Sequence, residues 1–218
     1  TIFGVINMSL RFIYGRAGSG KTHYCLKEIK ERITSGAVHP LVLLVPEQYT
    51  FQAERDLIKV LETGGILKTA VLSFQRLVYR VFQEAGGITY PHIHSAGKCM
   101  IIYRILNKFQ KDLKIFAKSA DRRGFVNTLS TLITEFKRYN ITPVDMKNAV
   151  DALETDNLLK VKLTELNTIY SEFELTIAQR YRDTDDDLTL ATEKMADTDL
   201  YKEAEIWIDG FAGFTPQE

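Results

Sequence analysis

An α/β fold built on a parallel sheet, with a large all-helical insertion, follows from three observations. Short apolar runs alternate with helical patterns as far as Gly87. Strand signals then disappear for roughly a hundred residues, and one apolar run, Glu205-Ile206-Trp207-Ile208-Asp209, returns near the end. Strands separated by helices imply βαβ units and a parallel sheet. A lone strand cannot fold by itself, so the last one is expected to rejoin the first sheet. Residues 8–94 and 200–218 then form one domain and residues 95–199 the insertion. Residues 1–7 are read as upstream or vector sequence ahead of a native start at Met8.

The elements follow in order. Leu10-Arg11-Phe12-Ile13-Tyr14 reads as a buried strand. Cys25, Leu26, Ile29 and Ile33 recur at helical spacing after it. Leu41-Val42-Leu43-Leu44-Val45 is fully apolar, as a central parallel strand is, and Pro46 ends it. Thr50 is placed to cap a helix running to Leu61, broken by Thr63-Gly64-Gly65. Ala70-Val71-Leu72-Ser73 is a further strand. Leu77, Val78, Val81 and Phe82 mark one face of a helix that stops at Gly86-Gly87. In the insertion, Met100, Ile101, Tyr103 and Ile105 lie in one helix, and Phe125, Leu129, Leu132, Ile133 and Phe136 stripe another. Thr142-Pro143-Val144-Asp145 combines a Thr cap, a proline at the first position and an acid three residues on. A long helix carries the stripe Leu159, Leu163, Leu166, Tyr170, Phe173, Ile177 and Tyr181, a packing surface. Lys108, Lys111, Lys114 and Lys118 share a face if their stretch is helical, either as a solvated basic face or as a phosphate track. The charge run Arg180–Asp187 reads as a solvated helix start, with a metal site as the alternative.

Composition removes several function classes. Lys plus Arg and Asp plus Glu are 28 each, so any nucleic-acid contact must use local patches and not a global field. No apolar run approaches the ~18 residues of a membrane span. Cys25 and Cys99 have no metal-ligand spacing. Two lone thiols and no secretion signal point to a reducing cytoplasm.

The chemistry is concentrated in Phe12–Thr22. Gly15, Gly20, Lys21 and Thr22 fit the phosphate-binding pattern G-x-x-x-x-G-K-[ST]. Glycines let several backbone N–H groups turn onto one phosphate, and the following helix points its positive end at the same anion. The expected cradle is Gly15, Arg16, Ala17, Gly18, Ser19, Gly20, Lys21 and Thr22. Lys21 would reach the β- and γ-phosphates of ATP, and the Thr22 hydroxyl would ligate Mg²⁺. A second Mg²⁺ ligand is expected at the carboxyl end of a neighbouring strand, and Asp209 occupies that position. Many motor ATPases follow this Asp with a Glu that serves as base for the attacking water. Here Gly210 follows, so binding is better supported than hydrolysis, and no residue is assigned a catalytic role.

Several segments resemble the first motor domain of superfamily-1 DNA helicases of the UvrD type, a P-loop NTPase (RecA-like) fold. They are Val45-Pro46-Glu47-Gln48-Tyr49-Thr50-Phe51, Leu72-Ser73-Phe74-Gln75-Arg76-Leu77, Asp185-Asp186-Asp187-Leu188 and Ile208-Asp209-Gly210-Phe211. A closer resemblance is to the amino-terminal segment of the AddB (also RexB) family, which contributes to bacterial ATP-dependent helicase/nucleases. It is carried by Gly15–Thr22, Val45–Phe51, Glu135-Phe136-Lys137-Arg138-Tyr139, and Asp209-Gly210-Phe211 followed by Phe214-Thr215-Pro216-Gln217-Glu218. The resemblance implies a heterodimer with an AddA-type subunit that resects DNA double-strand ends in recombinational repair. It also implies single-stranded or duplex-end DNA as partner, with Gln48, Tyr49, Thr50, Phe74 and Arg76 as contact candidates. The nuclease domain and its iron–sulfur cluster belong to a carboxyl-terminal part that this chain does not contain, so the chain is read as an amino-terminal fragment. Two rival readings remain: a DNA- and partner-binding scaffold with a vestigial nucleotide site, and a small nucleotide kinase.

Overall fold

The computed structural model describes residues 10–62, 69–86, 90–119, 122–154 and 157–218. The expected native start at Met8 and the Thr63-Gly64-Gly65 and Gly87 breaks lie outside these residues. The chain divides into two compact units. The first runs to Phe74 and includes Tyr201–Ala212; the second comprises Gln75–Leu200 and Gly213–Glu218.

The first unit is α/β. Its three strands, β1 (Leu41–Leu44), β2 (Thr69–Leu72) and β3 (Glu205–Ile208), form a parallel sheet in the order β2-β1-β3. Leu41 lies opposite both Thr69 and Glu205, and Leu44 opposite Leu72 and Ile208. All four residues of β1 are buried, as the apolar run requires of a central strand. Helices α1 (Lys21–Thr34) and α2 (Thr50–Leu61) supply the layer on one face. There Cys25, Leu26, Ile29 and Leu57 pack with Leu41, Leu43, Val45, Val71 and Trp207. These strand positions are two apart, so they point to the same side. Burial also raises the Cys25 thiol above its ordinary pKa, the behaviour of a core cysteine and not of a reactive one.

Leu10–Tyr14 is not a strand. Among the described residues no strand pairs with it, and Leu10, Phe12 and Tyr14 lie in solvent. Among the described residues, Arg11 of this stretch is tied down by an ion pair to Glu28 of α1 and by its guanidinium 5.7 Å from the Tyr24 ring. Glu28 also accepts the indole N–H of Trp207 at 2.9 Å. Burial pushes the Glu28 carboxyl up, but the two hydrogen bonds outweigh it and hold the group below its usual range.

The second unit is helical, with α3 (Phe74–Ala85) entering it from Gln75, followed by α4 (Ser95–Lys108), α5 (Arg123–Arg138), α6 (Pro143–Asp151), α7 (Leu158–Ala178) and α8 (Asp187–Met195). Ile102, Ile105 and Leu106 of α4, Leu129 and Ile133 of α5, and Ile169, Phe173 and Ile177 of α7 share one core. The α6 start is a capping box: Thr142 accepts the Asp145 N–H, and Asp145 accepts the Thr142 N–H.

Two expectations fail here. The stretch from Lys108 to Lys118 is not one helix, so its lysines share no helical face. α4 ends at Lys108, and the buried carboxylate of Glu165 instead accepts the N–H groups of Lys114, Ile115 and Phe116 at 2.7–3.2 Å. The acid takes these N–H groups just ahead of the short 3₁₀ turn Ala117–Ser119. The Arg180–Asp187 run is not a solvated helix start either. Asp183 is 1% exposed, with Lys98 Nζ at 2.5 Å and Lys137 Nζ at 3.1 Å. Lys98 also meets Asp185, and Lys137 meets Glu174 and Asp186. Lysines therefore fill the place a metal would need. Among the described residues no group of three or more His, Cys, Asp or Glu side chains suits a metal ion, and no helix is long and apolar enough to cross a membrane.

Candidate functional site

The glycine-rich loop lies immediately before α1. Gly18 and Gly20 have φ of +77° and +87°, left-handed angles at which an L side chain is strained. Gly20 is the N-cap of α1 and its carbonyl accepts the Tyr24 N–H at 2.9 Å. Gly20 turns the chain into α1, so the loop sits at the helix's positive end. The Lys21 ammonium folds back along the loop, donating to the carbonyls of Gly15 at 2.9 Å and Arg16 at 3.0 Å.

The second half of the site comes from the end of β3. The Asp209 N–H donates to the Leu44 carbonyl at 3.0 Å, which fixes Asp209 as the residue where the chain leaves the sheet. Its carboxylate accepts the Thr22 hydroxyl at 2.7 Å. A hydroxyl and a carboxylate thus converge beside the loop from positions 187 apart in sequence. Gly210 follows at φ +81°, and a Cβ there would stand 3.4 Å from the Pro46 ring, ordinary contact. The obstacle to a side chain is therefore the backbone angle and not the space. Gly210→Glu is expected to lower stability by about 1–2 kcal/mol, and Gly210→Asn by less, because asparagine tolerates this region. Urea unfolding followed by the fluorescence of Trp207, the only tryptophan, reads both; equal stability of Glu and Gly would show that the angle is not constraining.

A cleft of about 500 Å³ opens from the loop. One wall is Gly18–Thr22 with His23 and Leu26 of α1, and the other is Asp56, Lys59 and Val60 of α2. The α2 wall was not singled out from the sequence. Its only signal there is a polar i, i+4, i+7 row, Gln52, Asp56 and Lys59.

The amino-terminal model of a known family, described as ADDB, N-terminal, matches residues 12–218. The chain belongs to the ADDB N-terminal family. The resemblance to the AddB family read from the motifs is thereby borne out. This ADDB segment is 72% identical over 211 residues to an ATP-dependent helicase/deoxyribonuclease subunit from Acetivibrio thermocellus. It is 61% identical to the protein so named from Ruminiclostridium cellulolyticum and 53% to those from Clostridium botulinum. Each match takes in 97% of this chain but 18% of the relative, so the chain spans less than a fifth of the relatives' length.

The remaining candidates follow β1 and β2 along the chain. Gln48 and Tyr49 are exposed on a short 3₁₀ turn, Glu47–Tyr49, just after β1. Thr50 is buried and its hydroxyl donates to the Glu47 carbonyl at 3.0 Å, so it presents no group to a ligand and caps nothing by accepting. Phe74 packs edge-on against Phe211, centroids 5.4 Å apart, which joins the loop after β2 to the loop after β3. Ser73 donates to the Glu47 carboxylate and joins the loops after β1 and β2. Arg76 is exposed on α3 and belongs to the second unit. Glu47, Ser73 and Phe211 were not picked out as site residues from sequence. Their pairings link loops distant along the chain, and no local spacing signals them.

Proposed function

We propose that this chain is the P-loop (RecA-like) nucleotide-binding part of a helicase-like domain in a larger protein that processes DNA double-strand ends. The observation that carries the reading is the convergence of Thr22 and Asp209 beside the glycine loop. Mg²⁺ takes few protein ligands, keeps several waters and is completed by substrate phosphates. A hydroxyl and a carboxylate at hydrogen-bond distance fit that need. The Gly15–Thr22 loop binds the phosphates of ATP, with Lys21 turning from the loop carbonyls to the β- and γ-oxygens. Gln48, Tyr49 and Phe74 are the proposed single-strand contacts of the first unit, since they follow β1 and β2; Arg76, on α3, is proposed as a contact by the resemblance alone.

The names of the relatives support a role for the whole protein in a helicase/deoxyribonuclease with more than one subunit. The partner in this reading is an AddA-type subunit, and the complex works on DNA in the cytoplasm. Nuclease chemistry and an iron–sulfur cluster are assigned to the four-fifths of the relatives' length that this chain does not span. Nucleotide turnover by this site is slow in the proposal, because Gly210 offers no base for the attacking water. The same glycine favours a second reading, a scaffold for DNA and partner whose nucleotide site binds without hydrolysis.

The test is calorimetry of ATP on the full-length protein, with and without Mg²⁺. Mg²⁺ is expected to tighten binding about tenfold or more, and Asp209→Ala to remove that gain. Equal Mg²⁺ dependence with and without Asp209 would reduce Asp209 to a turn residue and sink the pairing with Thr22.

A further inference from the structure

The cleft beside the loop is larger than phosphates alone require, and its α2 wall has a chemistry of its own. Pockets of about 300–1,000 Å³ suit small ligands with an apolar body and a few polar handles, and this one is about 500 Å³. Val60 and the buried Leu26 supply apolar surface. Of the described residues that line the cleft, Asp56 is the only acid. An acid facing a triphosphate is repelled by it, so its place in an anion-binding cleft needs another explanation. Its oxygens are oriented from its own helix: Gln52 donates at 2.7 Å and Lys59 lies at 3.3 Å. The Gln52 hydrogen bond also holds the carboxyl below its ordinary pKa, despite some cost of burial, so it acts as an acceptor at neutral pH. A carboxylate that accepts only, in a cleft it shares with the loop and with the apolar Leu26 and Val60, matches the paired hydroxyls of a ribose.

We propose that the α1–α2 cleft holds the nucleoside end of the nucleotide, with Asp56 accepting the 2′- and 3′-hydroxyls of the ribose and Leu26 and Val60 lying under the base. Lys59 offsets the acid's charge toward the phosphates and keeps the carboxylate in place. Asp56 is thus a specificity residue that selects ribonucleotides, a role that rests on the phosphate-loop reading above. Deoxynucleotides, which a DNA-processing protein meets during synthesis and repair, would be bound less well.

The experiment compares ATP with 2′,3′-dideoxyATP on the full-length protein at saturating Mg²⁺, with the Lys21→Ala protein as the baseline for binding elsewhere. The Lys21-dependent affinity is expected to favour ATP by about tenfold, the worth of a hydrogen bond to a charged group. Asp56→Asn should bring the ratio near one, chiefly by weakening ATP. A wild-type ratio near one, or an unchanged ratio in Asp56→Asn with its circular dichroism intact, overturns the assignment of the ribose while leaving the phosphate loop standing. Binding that does not depend on Lys21 at all overturns the nucleotide reading itself, and the ribose site with it.

Discussion

Asp183→Asn is expected to destabilise the helical unit by about 3–5 kcal/mol, the range for breaking a buried ion pair from one side. Asp183 is 1% exposed and stands between two ammonium groups, Lys98 and Lys137. Lys137 itself has a side chain 2% exposed. Removing the shared carboxylate leaves two buried cations leaning on Asp185, Asp186 and Glu174 at the rim. The Asp183 Oδ1 also holds the turn before α8, accepting the Asp185 N–H at 3.0 Å. Denaturant unfolding followed by far-ultraviolet circular dichroism, which reports chiefly helix, reads the loss. A change below about 1 kcal/mol would mean that the lysines find water, and that the cluster is not closed.

The pH dependence of this cluster has two parts of opposite sign. Burial pushes Asp183 up, but Lys137 and Lys98 outweigh it, so its folded pKa lies below the ordinary 3.8. Its stabilisation is present above that value and is lost as pH falls through the lower folded pKa. Asp186 is pushed up to about 6, burial and its acidic neighbours outweighing Lys137. Its share is complete below about 3.8 and is lost as pH rises through about 6. Asp183→Asn should therefore flatten the acid limb of the stability curve below about pH 4. A limb of unchanged slope in the variant would place acid sensitivity elsewhere.

Lys21→Ala is expected to weaken ATP binding by about a hundredfold or more while leaving stability nearly unchanged. The gap between the two effects is the informative part. In the absence of phosphate the ammonium's partners are two carbonyls of an exposed loop, and water replaces an ammonium there at small cost. Against a phosphate the same group forms charge-assisted bonds within a cradle of amides, each roughly twice as strong as a neutral bond. Thermal unfolding midpoints within a few degrees of one another, beside a large loss in calorimetric affinity, are the expected pair of results. A large loss of stability instead would make Lys21 a strut of the loop, and undamaged affinity would leave the loop without its proposed ligand.

Much of the architecture can be read along the chain, for identifiable reasons. β1 is legible because all four of its residues are apolar and a central parallel strand is buried on both faces. α7 is legible because its stripe keeps helical spacing over five turns. Leu10–Tyr14 looks equally strand-like, but a strand is a pairing and not a composition, and the apolar side chains there stay in solvent. The acidic run after Tyr181 looks solvated because its neutralising lysines come from α4 and α5, which no local window contains. Glu165 is illegible for the same reason, since it serves a loop about fifty positions earlier. The Thr22–Asp209 convergence was anticipated because a phosphate loop needs a partner acid at a strand's end. The α2 wall of the cleft was not, because only the packing of α1 against α2 brings it there.

Thr22 and Asp209 are separated by 187 positions, and that spacing acts in time as well as in space. At about 5–20 residues per second, a ribosome finishes the glycine loop roughly 10–40 s before it reaches Asp209. From the completion of Leu72 onward β1 and β2 have been made but β3 has not, so Trp207 is missing from the core over α1. The first unit must therefore wait in an incomplete form, or be held by other factors, while more than a hundred residues of the second unit emerge and fold between its halves. Within the first unit the acid arrives near the end, so the nascent chain holds the glycine loop long before it holds the Thr22–Asp209 pair.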